Sequence, residues 1–345
     1  MLQRLVINQF RNLSNLSIQA HPKFNLITGP NGSGKTSILE AIYFLSHGRS
    51  FRTQKITRLI QESQKDFTLF AELSQQNNTY QLGTLRDSDG ESRLKINGEL
   101  AHSHVPAAKL LPSLLINPEL YSQFWQGSNL RRAILDWGLF HQEPDFIHTW
   151  QKFSRVLKQR NANLKQNNFL TIWDEPLAQL SEKLDFYRAQ YFAELLDLIK
   201  LFLKDFLDTH HIQISYYRGW PKDQDLFTCL QNHIQQDQHL GHTHFGAHRA
   251  DIKIRIHQGN AQDILSRGQQ KRLITSIKLA QGELFESKTQ QSCIYLLDDL
   301  SAELDQENKQ ALINKLTQMS SQIFLTSLDP EYFEFELDQA EKINL

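Results

Sequence analysis

FNLITGPNGSGKTSILEAIYFL, residues 24–45, contains the change of pattern on which the fold turns. Phe24, Leu26 and Ile27 predict a short buried strand. From Ser37 onward, Ile38, Leu39, Ile42 and Leu45 fall on one helical face. The link between them, GPNGSGKT at 29–36, fits the spacing G-x-x-x-x-G-K-[ST]. Gly29, Gly32 and Gly34 let the backbone curl so that several N–H groups converge on one anion. Pro30, Asn31 and Ser33 fill the loop, and Ser37 follows it into the helix. The positive end of that helix adds to the attraction. Lys35 is placed to reach the β- and γ-phosphates, and the Thr36 hydroxyl to hold Mg²⁺. The segment is read as a strand–loop–helix site for ATP with Mg²⁺.

YLLDDLSAELD, residues 295–305, supplies an acidic counterpart. Ile294 to Leu297 is an apolar run of strand type ending in Asp298 and Asp299. A carboxylate at the end of a buried strand beside a phosphate loop suits Mg²⁺, and the next can orient the attacking water. The catalytic candidates are therefore Lys35, Asp298 and Asp299, with Thr36 and Asp298 as metal ligands. On its own, DD after an apolar run is an ordinary acidic loop; the phosphate loop gives it meaning.

The remaining composition sets bounds. The 345 residues hold 37 Lys and Arg against 38 Asp and Glu, a formal net charge of −1. That excludes a strongly basic coat protein but allows local basic patches. Two cysteines, Cys229 and Cys293, imply no disulfide framework. MLQRLVINQFRN lacks the apolar core of a signal peptide, and no apolar run has membrane-spanning length, so a cytoplasmic, non-membrane protein is expected.

Asp298 follows Lys35 by 263 positions, far more than in compact phosphate-loop kinases. LSRGQQKR, residues 265–272, precedes the acidic strand. The order of phosphate loop, long insertion, LSRGQ, acidic strand and SAELD resembles the ABC-type ATPase heads. Their signature has the form L-S-G-G-Q. The resemblance implies that Ser266, Gly268 and Gln269 cap the γ-phosphate held by a second copy in an ATP-dependent homodimer, with Asp305 near the same interface.

More specific strings run end to end. FRN at 10–12, GPNGSGKTSILEAIYFLSHGRSFR at 29–52, RRAILDWGLFH at 131–141, LKQRNANL at 157–164, HRADI at 248–252, LSRGQQKR and YLLDDLSAELD together resemble the RecF family, bacterial recombination-repair ATPases related to SMC- and Rad50-like heads. The fold implied is α/β: a P-loop ATPase head with a mixed β-sheet lobe and a helical second lobe carrying a short arm and no long coiled coil. Residues 1–120 with 290–345 are expected to form the first lobe and 121–289 the second. The family implies an ATP-gated clamp on double-stranded DNA and on ssDNA–dsDNA junctions. It also implies work with RecR and RecO in loading RecA at gaps and stalled forks, and weak ATP hydrolysis. In related heads a basic residue at the place of Arg11 reaches the nucleotide.

The insertion fits this reading. From Asn129 to about Leu207 the apolar spacing is helical, and Trp173–Leu207 as one helix would span about 50 Å. Gln81–Asn97 and Ile212–His257 alternate and predict antiparallel strands. In HGRSFRTQKITR, residues 47–58, Arg49, Arg52, Lys55 and Arg58 recur every three residues; a helix there would carry a basic stripe suited to DNA phosphates, or a solvated or lobe-bridging face. Lys152, Arg155, Lys158, Arg160 and Lys165 form a second basic cluster, preceded by Arg131 and Arg132. His242, His244 and His248 invite a zinc site, but no cysteine lies near and no fourth ligand is suitably spaced.

The chain departs from the ABC pattern at three places. Arg267 stands where the signature has Gly, Asp299 where Glu is usual, and IFLTS at 323–327 is followed by Leu328 and Asp329 without the switch histidine. The last two point to slow hydrolysis. The glutamine-loop position falls near Asn117–Glu119. A transporter ATPase subunit, a metabolic P-loop kinase and a non-catalytic ATP-binding scaffold stay open as alternatives.

Overall fold

A computed structural model describes the whole chain except residues 77, 167–170, 205–210, 300–305 and 329–339, and only the backbone of 306–308. Asp305, Phe206, Leu207 and Asp329 thus lie outside the described residues. The chain divides into two compact units. One is Met1–Leu120 with Phe285–Leu345, and the other is Tyr121–Leu284. The return to the first unit comes at Phe285, five residues before the expected position 290.

The first unit carries two sheets. β1 (Leu2–Phe10), β2 (Leu13–Gln19), β4 (Asp66–Gln75), β5 (Asn78–Asp87), β6 (Ser92–Ile96) and β7 (Glu99–Leu100) form an antiparallel sheet in the order β2-β1-β4-β5-β6-β7. β4 alternates buried and part-exposed residues along its length, as a one-sided sheet requires. β5 and β6 are the antiparallel pair that the alternation at 81–97 predicts, turned through Gly90 at φ 97°. The second sheet is parallel: β3 (Phe24–Thr28), β8 (Ser113–Ile116), β12 (Ile294–Leu297), β13 (Gln322–Ser327) and β14 (Ala340–Asn344), ordered β14-β3-β13-β12-β8. Every residue of β3, β12 and β13 is buried, which is why IYLL at β12 reads as an unbroken apolar run and why LI and IFL form the apolar centres of the other two. Helix α1 (Lys35–His47) inserts Ile38, Leu39, Ile42 and Leu45, all at 0% exposure, into the core beside these strands. Gln322, polar in a buried strand, is satisfied by accepting from the Leu2 N–H and donating to the Leu2 carbonyl, both at 2.8 Å.

The second unit holds the helical insertion. Helices Ser128–Gln142, Phe146–Lys165 and Asp174–Lys204 appear, the last of 31 residues, or about 46 Å. Its buried stripe includes Leu177, Leu184, Tyr191, Leu195, Ile199 and Phe202. Ile212–His257 corrects the expectation of continuous strands. Only its ends pair, β9 (Ile212–Tyr217) with β10 (Asp251–Ile256), antiparallel; β11 (Gly259–Asn260) adds a short edge. Between them, helices Leu226–Asn232 and Ile234–Leu240 intervene. Asp225 caps the first by accepting from the Thr228 N–H at 2.8 Å, and Gly241 at φ 67° ends the second.

Three arginines of the basic clusters turn to partners within the unit, Arg160 fully buried and Arg131 and Arg132 partly so. Arg160 is 2% exposed; it donates to Asp174 at 2.7 Å, Asp237 at 2.6 Å and Thr243 at 2.8 Å. It is a buried tie between helices and no member of a surface cluster. Arg131 makes a two-point bond to Asp251 at 2.7 and 3.0 Å, and Arg132 donates to the Ala250 carbonyl at 2.8 Å. The RRAILDW and HRADI strings therefore hold each other. His248 Nε2 donates to the Thr243 carbonyl at 3.0 Å, and burial pushes its pKa down to about 4. Among the described residues no group of three or more His, Cys, Asp or Glu is placed to hold a metal, and no helix is long and apolar enough to cross a membrane.

Candidate functional site

The parallel sheet sets the site. β3 ends at Thr28, the loop 29–34 curls, and α1 starts at Lys35. Gly34 takes φ 111° as the N-cap, and a Cβ there would stand 2.6 Å from the Leu13 side chain. Gly32 takes φ 81°. No side-chain-bearing residue suits these two positions. Asn12 locks the loop: its Nδ2 donates to the Gly32 carbonyl at 2.8 Å, and its Oδ1 accepts from the Ser37 hydroxyl at 2.9 Å. The Lys35 ammonium donates to the Gly29 and Pro30 carbonyls at 2.7 and 2.9 Å, which holds it at the loop mouth.

β12 and β13 bring the acidic end alongside. Asp298 Oδ1 accepts from the Thr36 hydroxyl at 2.9 Å and from the Thr326 hydroxyl at 2.8 Å. The Asp299 N–H donates to Thr326 Oγ1 at 2.8 Å, and Asp299 takes φ 49°. Burial raises the Asp298 pKa; bonds from Thr326 and Thr36 oppose the shift, while the charges of Asp299 and Glu119 add to it. Asn117 Nδ2 donates to Glu119 at 2.8 Å, so the region read as the glutamine loop sits by the same carboxylates.

These groups line one cleft of ≈ 510 Å³, with Asn31, Gly32, Gly34, Lys35, Thr36 and Ser37 on one side and Asp298, Asp299 and Thr326 on another. The residues fit a triphosphate and a hard cation. The loop presents backbone N–H groups at a helix start, and the Ser33 hydroxyl is buried without a partner. Thr36, Asp298 and Asp299 offer the oxygen ligands Mg²⁺ takes.

The third wall was not legible from spacing. Arg11, Arg52 and Arg58 border the same cleft. Arg11 donates Nε and Nη2 to the two oxygens of Glu40 at 2.8 and 2.7 Å, and Nη1 to the Arg58 carbonyl at 2.8 Å. Residues 47–58 form no helix beyond the end of α1, only a 3₁₀ turn at Ile56–Arg58, so no helical stripe exists. Arg49, Arg52, Lys55 and Arg58 are all exposed, but Arg52 leans on Glu40 at 3.7 Å and Arg49 bonds the Tyr43 hydroxyl.

In the second unit the signature starts the helix Arg267–Thr289. The Ser266 N–H donates to Gln269 Oε1 at 2.9 Å, and the Gln269 N–H to Ser266 Oγ at 3.2 Å. This reciprocal capping box explains Ser and Gln three apart. It does not explain Gly268, which is exposed, has no left-handed φ and would meet nothing within 4 Å if given a Cβ.

The comparisons agree with this layout. A family model described as the RecF/RecN/SMC N terminal domain matches residues 1–344. A protein of Proteus mirabilis (strain HI4320) called DNA replication and repair protein RecF is 41% identical over 333 residues, 95% of this chain and 92% of its own.

The chain belongs to the RecF family.

A RecF of Pseudomonas syringae pv. syringae (strain B728a) is 39% identical over 96% of this chain and 92% of its own. Among solved structures, the recombination mediator protein RecF with ATP in the RecFOR pathway superposes with TM-score 0.85 at 26% identity, covering 95% of this chain and 92% of that one. An Smc head bound to the C-terminal winged-helix domain of ScpA reaches TM-score 0.60 at 15% identity, covering 95% and 90%, a likeness of fold. This RecF-family chain thus has the fold of an ABC-type ATPase head, mixed α/β as the motif order implied. Asn12, Glu40 and Thr326 are site residues that motif reading passed over. Asn12 stood in the FRN string, and Thr326 stood one residue from the end of IFLTS.

Proposed function

We propose that the chain is an ATP-dependent DNA clamp of recombinational repair and replication restart, in which ATP joins two heads on DNA and slow hydrolysis releases them. The observation that carries this reading is Gly268. Gly268 stands in the first turn of its helix, exposed and without a left-handed φ, so its backbone does not call for glycine. Among the described residues nothing needs the space, so the reading assigns it to an outside group: the γ-phosphate of ATP on a second copy, met by Ser266 and the Gly268 N–H. Asp305, outside the described residues, belongs to the same proposed interface.

Within one head, Lys35 and the loop N–H groups hold the phosphates. Thr36 and Asp298 would hold Mg²⁺, which would supply charge neutralisation at the phosphates. Asp299 orients the attacking water, and Asn12 keeps the loop curled. The short carboxylate at 299 and the absence of a switch histidine support a slow cycle. DNA is contacted through phosphates, by Arg49 and Lys55 first, because Arg52 and Arg58 face the nucleotide cleft. Gapped or junction DNA, and RecR and RecO in loading RecA in the cytoplasm, complete the proposal, supported by family membership.

Light scattering on size-exclusion eluate tests it. The mass should double with ATP and Mg²⁺; bound ATP with a constant monomer mass would favour the scaffold or kinase alternatives. A salt titration tests the DNA contact. If Arg49 and Lys55 each neutralise one phosphate, the log–log slope of duplex affinity falls near about −1.8 per head, at about −0.9 per contact. A flat slope would rule out backbone-dominated binding.

A further inference from the structure

Glu40 lies on α1 one helical turn after Thr36, with 0% of its surface exposed, between the core residues Leu39 and Ala41. A buried carboxylate is costly unless paired. An apolar side chain would pack there without that cost, and buried ion pairs are weak stabilisers relative to apolar substitutes. Its neighbours point to another use. Both oxygens accept from Arg11, at 2.8 and 2.7 Å. The Ser50 hydroxyl also donates to it, and Arg52 stands at 3.7 Å. Ser50 in turn accepts from the Arg52 and Thr53 N–H groups at 2.9 and 3.0 Å.

Arg11 is thereby fixed. Its backbone N–H donates to the Leu59 carbonyl at 2.7 Å, and Phe10 bridges Ile60. A guanidinium has five N–H donors. The bonds to Glu40 and to the Arg58 carbonyl use three, leaving two on a side chain that borders the phosphate cleft. A planar fork clamped on one edge is already oriented when an anion arrives.

We infer that Glu40 is a positioning residue for nucleotide binding: through Arg11 it holds the 50–60 segment and two guanidinium donors as the third wall of the phosphate cleft. This rests on reading that cleft as the triphosphate site. Loss of Glu40 leaves Arg11 charged but unaimed, so the defect falls on nucleotide affinity as well as on the fold.

The test is titration of the full chain with a fluorescent ATP analogue and Mg²⁺, using Glu40→Gln, Arg11→Lys, their double variant and Lys35→Ala, with melting of each protein without nucleotide. Glu40→Gln and Arg11→Lys should each weaken binding by about tenfold or more, the scale seen when a supporting partner of a binding group is lost. The double variant should be no weaker than the poorer single variant by more than about twofold, the mark of two groups acting as one. A purely structural Glu40 would lower the melting temperature and leave the affinity of the folded protein within about twofold of wild type, which would overturn the inference. Additive losses would overturn it too. If Glu40→Gln does not fold, Arg11→Lys decides: it keeps the charge and loses the fork, and wild-type affinity would end the proposal. Lys35→Ala separates the two levels. If it abolishes binding while Glu40→Gln stays within about twofold of wild type, the triphosphate site stands and the Glu40 role falls. If Lys35→Ala binds normally, the reading of the cleft itself fails.

Discussion

Ser266→Asp should abolish the ATP-dependent dimer while leaving the head folded. Aspartate caps helices as well as serine, so its carboxylate can still accept from the Gln269 N–H that now bonds Ser266 Oγ. The helix Arg267–Thr289 keeps its start. What changes is the sign of the group offered to a partner's nucleotide. Two unit charges about 4 Å apart repel by about 4 kcal/mol at the effective dielectric of a protein surface. That is about a thousandfold in affinity for each composite site, and a two-fold dimer has two. Ser266→Asn is the companion: it caps equally and adds no charge, so it should lose far less. Equilibrium sedimentation with ATP and Mg²⁺ measures both. Equal dimerisation of the Asp variant and wild type would remove Ser266 from any γ-phosphate contact. The capping box would then be its whole function.

Asp299→Asn should hold the protein in the ATP-bound dimer. Asp299 sits at φ 49°, a conformation that Asn tolerates as readily as Asp, and its backbone N–H bond to Thr326 does not depend on the side chain. The substitution therefore keeps that backbone bond and replaces the carboxylate that would orient water with an uncharged amide. Turnover should fall by about 10²–10⁴-fold, the usual contribution of such a group. ATP affinity should hold, because Lys35, the loop amides and Asp298 are untouched. Single-turnover hydrolysis alongside dimer lifetime gives the reading. A variant that hydrolyses at the wild-type rate would move the water-orienting role elsewhere, and Glu119, whose charge acts on Asp298, is the next group to test.

Arg160 and Arg52 show where reading by charge stops. Each is one basic letter among others in a basic stretch. Arg160 is interior and bonded to two aspartates, and Arg52 turns to the nucleotide cleft. A guanidinium is written the same way whether it faces water, DNA or a buried carboxylate. The same holds for the 212–257 stretch, whose alternation is real at β9 and β10 but is interrupted by two helices set by local caps at Asp225 and Gly241.

The parts determined by sequence alone were those whose chemistry lies within a few consecutive residues. The phosphate loop needs glycines, Lys35 and Thr36 at fixed short spacing on a strand–helix junction. Such geometry follows from backbone dihedrals and needs no distant partner. The tertiary structure decided everything that depends on pairing across the chain: Thr36 with Asp298 and Thr326, Asn12 with the loop, Gln322 with Leu2, and Glu40 with Arg11 and the 50–60 wall. These contacts are fixed by which strands lie side by side in two sheets. Local periodicity records that a strand exists, whereas its neighbours are chosen by the joint burial of the whole core.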